Sequence, residues 1–218
     1  MTQHEALHST IVEKLKFTPG LDASNIAISV NENGVIVIAG KVKSYSEKFI
    51  AENAVKNVRG VRAIANELSV DLASGYKRSD ADIARKSVDA LLWDVFIPDD
   101  RIKITVDNGH INLSGEVEGY FQKRHAENAI RNIVGVRDIT NLITIKSSVR
   151  PADVKEKIIQ EFERNARIDA KNIDVTVDGS EVILKGKVRN FDEKDEAITA
   201  AWSVPGITKV KEELTLKL

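Results

Sequence analysis

GKVKSYSEKF, residues 40–49, returns twice in the same chain, as GEVEGYFQKR at 115–124 and GKVRNFDEKD at 186–195. Each copy has a glycine, a valine two positions on, an aromatic residue five on and a lysine eight on. A second glycine falls twenty residues after the first in every copy, at Gly60, Gly135 and Gly206. Apolar residues then recur at fixed offsets: Ile64, Leu68 and Val70; Ile139, Ile143 and Ile145; Val210, Leu214 and Leu216. Units matched over this length point to an internal repeat, so the element order has to be read within one unit.

Ile26, Ile28 and Val30 alternate with polar residues, as do Ile102, Ile104 and Val106, and Ile173, Val175 and Val177. That period predicts a strand with one buried face. Asn33-Gly34, Asn108-Gly109 and Asp178-Gly179 follow and supply the positive φ angles of a tight hairpin. A second strand, carrying Ile36 and Ile38, Ile111 and Leu113, or Val182 and Leu184, runs into Gly40, Gly115 or Gly186. Beyond it Ala51, Ala54, Val55 and Val58 form one helical stripe, matched by Ala126, Ala129, Ile130 and Ile133 and by Ala197, Ala200, Ala201 and Val204. The alanines let such a helix lie close to a sheet, and Gly60, Gly135 and Gly206 stand where a helix C-terminal cap belongs, ahead of a third strand.

Another amphipathic helix precedes each unit: Leu7, Ile11, Leu15; Ala84, Val88, Leu91, Leu92; Val154, Ile158, Ile159, Phe162. Ser79 and Asp82 have capping-box spacing at the start of the second. The order helix, strand, strand, helix, strand, written three times, is an α+β chain of tandem αββαβ modules. LASGYKRSD at 72–80 and KSSVRPA at 146–152, with Pro151, interrupt both periods. The modules are therefore 1–72, 80–146 and 151–218.

The hairpin turn, the G-x-V strand exit, the E-K and E-N-A helix, and G-V-R before the last strand together resemble the BON domain, the module named after bacterial osmotically inducible and nodulation proteins. The resemblance spans nearly the whole chain. It implies, for each module, a small mixed three-stranded sheet with two helices on one face, occurrence in bacterial stress proteins, and attachment to phospholipid. The third unit departs from the pattern: Pro205-Gly206-Ile207 replaces the G-V pair, and Glu212 stands where the other units have Asn66 and Asn141.

Composition narrows the chemistry. Across 218 residues there is no cysteine, which excludes disulfides, thiolate metal sites and a cysteine nucleophile. The segments 1–75, 76–147 and 148–218 carry 8, 11 and 13 basic residues against 8, 11 and 14 acidic ones. No segment has the cationic footprint that nucleic acid requires. No run reaches the ~18 apolar residues of a membrane-spanning helix. The N-terminus lacks signal-peptide character, so the chain as written reads as cytoplasmic, or as periplasmic if a signal has been removed.

His4 and His8 have metal-like spacing without an evident third ligand, so no metal or cofactor is expected. Asp99-Asp100 and Asp192-Glu193 fall at turn and helix-start positions, where acids stabilise the helix dipole or face water. An enzyme is not expected.

Tyr45, Tyr120 and Phe191 admit two readings. One is a hydrophobic staple, with Ser46 as cap and Ile50 receiving Tyr45; the equivalent partner positions hold His125 and Glu196. The other joins them to Lys48, Lys123 and Lys194, three residues further on, as repeated contacts for a membrane or partner. Trp202 stands where the other units have Lys56 and Arg131, and is expected to touch a neighbouring module or a partner chain. Trp93, Val95, Phe96 and Ile97 are expected in the core or at a longer helix end. The resulting functional expectation is a non-enzymatic, stress-associated scaffold docking on phospholipid or an envelope protein. The alternative is a small-ligand or potassium-ion sensor, since the resemblance extends to potassium sensing, with the site in or between modules.

Overall fold

The structure is a computed structural model that describes residues 3–31, 34–146 and 153–217. The expected turn residue Asn33 and the linker proline Pro151 lie outside the described residues. The chain divides into two compact units, residues 1–87 with 105–111 and 131–140, and residues 88–104 with 112–130 and 141–218.

In the first unit, α1 (Gln3–Lys16) leads into β1 (Ile26–Val30), β2 (Val35–Val42), α2 (Tyr45–Lys56) and β3 (Ala63–Val70). β2 is central, antiparallel to β1 from Ile26↔Gly40 to Val30↔Ile36 and parallel to β3 from Val35↔Ala63 to Val42↔Val70. A hairpin joins the antiparallel pair, and the parallel pair needs the α2 crossover. Ile36, Ile38, Val42, Leu68 and Val70 alternate onto one face and are buried with Ile11 and Leu15 of α1 and Ala51, Ala54 and Val55 of α2. Truncating a core leucine or isoleucine of this kind to alanine costs about 2–5 kcal/mol.

The third module repeats this plan in the second unit with α5 (Val154–Arg164), β8 (Ile173–Asp178), β9 (Glu181–Val188), α6 (Phe191–Ser203) and β10 (Lys209–Leu216). Phe162, Ile158, Val182, Leu184, Val188 and Leu214 lie in its core.

Between them the chain forms α3 (Asp80–Leu92), β4 (Ile102–Asp107), β5 (His110–Val117), α4 (Tyr120–Arg131), β6 (Asp138–Asn141) and β7 (Thr144–Ile145). The third strand of this module, expected to be continuous, is broken at 142–143, and β7 pairs separately with β5 at Glu116↔Thr144 and Val117↔Ile145. Among the described residues no helix is long and apolar enough to cross a membrane.

The middle strand does not stop at the first glycine. It runs two residues further, burying Val42, Val117 and Val188. Gly40, Gly115 and Gly186 have φ of 130°, 134° and 139°, and a Cβ there would collide with the carbonyl oxygens of Asn25, Arg101 and Asn172. Each of those carbonyls closes a short 3-10 turn before the first strand, at Ala23–Asn25, Asp99–Arg101 and Ala170–Asn172. The glycine therefore lets two stretches of backbone touch. Gly60, Gly135 and Gly206, with φ of 97°, 101° and 95°, turn the chain out of α2, α4 and α6.

Of the apolar stripe expected on α3, Leu91 is buried but Val88 and Leu92 are not. Ile83, Ser87 and Leu91 face the sheet, four residues apart, whereas Val88 and Leu92 are exposed. α3 carries two adjacent apolar stripes, and its sheet covers one.

Candidate functional site

The helices that follow the first glycine begin on a side-chain cap. Ser44, rather than Ser46, is the N-cap of α2, and its hydroxyl accepts the Glu47 N–H at 3.2 Å while Glu47 accepts the Lys43 N–H at 3.0 Å. Gln122 accepts the N–H groups of Glu118 and Gly119 at 2.9 and 3.0 Å. Asn190 accepts from Glu193 at 2.9 Å, and Glu193 accepts from Asp169 and Arg189 at 2.7 and 2.6 Å. Burial alone would raise the Glu193 carboxyl, but hydrogen bonds from the Arg189 side chain and these N–H groups outweigh it and hold it low. Glu193 is thus a buried cap and does not face water. Tyr45, Tyr120 and Phe191 are first helical residues, which removes the staple geometry.

Each of the three lysines offered as a membrane or partner contact engages a group of the protein itself. Lys48 pairs with Asp138 at 3.6 Å, Lys123 donates to the Ile143 carbonyl at 2.8 Å, and Lys194 pairs with Glu212 at 2.7 Å. The side chains of Lys48 and Lys194 are only 22% and 20% exposed. Burial lowers the affinity of Lys123 for its proton, partly offset by Glu127.

The departure at Glu212 has its reason here. Asn66 donates to Glu52 at 2.8 Å and Asn141 to Glu127 at 3.3 Å, whereas the third module has Ile198 in place of that acid. Glu212 supplies the missing negative charge to Lys194 from the strand.

Within the second unit the Trp202 indole stacks on Tyr120, with centroids 4.8 Å apart and planes 9° from parallel. The Arg124 guanidinium lies 6.0 Å from the Tyr120 ring. Beside this stack is a cleft of about 550 Å³ whose walls include Tyr120, Phe121, His125, Trp202, Pro205 and Ile207.

The cleft adjoins the most exposed apolar group of this unit. Trp93 is 87% exposed and Val95 90%, with Leu92, Phe96 and Phe121 at 63%, 53% and 54%. The expectation that this cluster is core holds only for Ile97, because α3 ends at Leu92 and Trp93, Val95 and Phe96 fall in the exposed turn after it.

Asp94 fixes that turn. Its carboxylate accepts the Phe96 N–H at 2.9 Å and meets His125 Nδ1 at 2.9 Å, which keeps its carboxyl below the usual 3.8. The Phe96 ring lies 4.9 Å from the His125 ring and edge-on to Phe121 at 6.3 Å. The result is a braced aromatic tip that the described residues of its own unit leave exposed. Arg101 pairs with Glu118 at 3.3 Å, and among the described residues no cluster of His, Asp and Glu could hold a metal ion. Sequence spacing flagged His125 only as a misfit at a staple position, and gave Asp94 no signal.

The chain is 25% identical over 131 residues to the osmotically-inducible protein Y of Escherichia coli (strain K12), covering 58% of this chain and 64% of the relative's length. It also overlays, at 16% identity and a TM-score of 0.27, on two structures of CdsD, a structural protein of the type III secretion system of Chlamydia trachomatis; one overlay covers 97% of this chain and 92% of that one, the other, of a C-terminal domain, all of both. A superposition that loose carries no argument. The BON domain model matches at residues 4–71, 79–147 and 152–217, so the chain belongs to the BON domain family and carries the domain three times.

Proposed function

We propose that this chain is a non-enzymatic docking protein that attaches to phospholipid surfaces through the aromatic tip of its second module. The observation that carries the reading is the exposure of Leu92 at the end of α3, of Trp93, Val95 and Phe96 on the braced turn after it, and of Phe121 of α4, whose ring meets Phe96. A contiguous apolar patch of this kind marks an interaction surface. Tryptophan suits the headgroup boundary, where one edge of the ring is apolar and the other meets water.

Each large side chain fully withdrawn from water gains about 1.5–3 kcal/mol, so a few inserted residues give reversible attachment. Because the exposed large side chains of the tip are apolar, adhesion rests on insertion rather than on attraction to anionic lipid. Similarity to an osmotically inducible protein supports placing this docking in the response to osmotic stress.

Vesicle sedimentation tests the reading. The wild-type chain is expected to pellet with both neutral and anionic vesicles, with little loss at moderate salt. Trp93→Ser with Phe96→Ser should abolish pelleting while thermal melting stays in place. A chain that remains in the supernatant at low salt with either lipid would refute the proposal.

A further inference from the structure

The cleft beside the Tyr120 and Trp202 rings contains a charge that the protein leaves unmatched. Its walls come from α4 with the two residues before it, and from the end of α6 with the turn that follows. Four ring side chains line it, Tyr120, Phe121, His125 and Trp202, and the α6 side adds Val204 and Ile207.

The acidic and basic residues of the lining are Glu118, Arg124 and His125. Glu118 pairs with Arg101 at 3.3 Å, and His125 meets Asp94 through Nδ1 at 2.9 Å. Arg124 has no acid partner among the described residues; its guanidinium meets the Tyr120 ring, 6.0 Å from the centre. The cleft is thus ring-walled, with one cation free to take an anion from outside the chain.

Each half of this arrangement selects a ligand group. Aromatic side chains favour another ring, in offset-stacked or edge-on contact, over an alkyl chain of equal area. A guanidinium holds a carboxylate through two parallel N–H donors. The volume of about 550 Å³ falls in the range of sites that take small organic molecules.

We infer that this cleft binds a small aromatic carboxylate, with its ring against the aromatic wall and its carboxylate on Arg124. The inference is independent of membrane docking, since Trp93, Val95 and Phe96 of the tip do not line the cleft. A ligand of one or two fused rings has few atoms with which to gain affinity, which sets a Kd on the order of 0.1 mM.

Calorimetric titration of the full chain with naphthoate, naphthamide and decanoate tests this. One naphthoate should bind per chain. Naphthamide lacks the charge and decanoate lacks the ring, so each should bind about tenfold more weakly or worse. Arg124→Gln should bring naphthoate down to the level of naphthamide, leave naphthamide itself unchanged, and melt as the wild type does. Trp202→Leu should weaken both aromatic probes, whereas Trp93→Ser/Phe96→Ser should bind naphthoate as the wild type does. No naphthoate binding up to about 5 mM overturns the inference. So does undiminished binding by Arg124→Gln, or loss of binding in the tip variant, which would put the probe on the tip. Decanoate bound as tightly as naphthoate would make the cleft an acyl-chain site and overturn it as well.

Discussion

The Trp202 ring lies almost flat on the Tyr120 ring, 4.8 Å between centroids, and so joins α6 to α4 across a repeat boundary. Offset aromatic pairs of this kind contribute about 0.5–1.5 kcal/mol beyond the area they bury. A double-mutant cycle with Trp202→Ala and Tyr120→Ala should give a coupling of about that size, measured by denaturant titration. Strict additivity would mean that the stack does not hold in solution.

Trp93 and Trp202 are the two tryptophans of the chain, so fluorescence can assign the docking tip. Adding vesicles should blue-shift the emission of Trp202→Phe, which keeps Trp93, and leave Trp93→Phe unmoved. The reverse pattern would place the cleft, rather than the tip, against the bilayer.

Neutralising Lys48, Lys123 and Lys194 together to Gln should leave vesicle binding intact and lower stability, because these ammonium groups serve the third-strand segments of their modules, Asp138, the Ile143 carbonyl in the strand break, and Glu212. In the third module Glu212→Asn alone should cost about 1 kcal/mol, since it leaves Lys194 without its acid. Adding Ile198→Glu, which recreates the arrangement of Glu52 and Asn66, should recover most of that loss in a chemical melt.

Ser87 is fully buried at the centre of α3, where α1 and α5 have Ile11 and Ile158, and among the described residues its hydroxyl has no hydrogen-bond partner. A buried polar group left unpaired costs about 1–3 kcal/mol. Ser87→Ala should therefore raise stability, by about 1 kcal/mol once the missing oxygen volume is allowed for, and the shift is readable in urea.

The Asp94 latch gives the tip an acid limit. Because the folded state holds its carboxyl below 3.8, mainly through the His125 hydrogen bond, the stabilisation it gives is present above that value and fades as the pH falls through the folded pKa. Asp94→Asn removes the ionisable group, so its melting temperature should fall less steeply than that of the wild type between about pH 4 and pH 2.

What the sequence determined by itself is whatever repeats along the chain. The three copies of the glycine, aromatic and lysine pattern and the period-2 and period-3.6 stripes are local properties, and the elements formed where those stripes lie. Tertiary structure decided which stripe of a helix another element covers. Ile83 and Leu92 are equally apolar, yet one faces the sheet and the other faces solvent, because periodicity says which residues share a side and not how far the sheet beneath them reaches. It also decided partners: Lys194 found Glu212, His125 found Asp94 and Trp202 found Tyr120 across separations that carry no sequence spacing rule. The candidate site therefore stayed hidden while the fold did not, since a strand or helix needs only its neighbours in sequence, and an exposed apolar tip is defined by the cover it lacks in space.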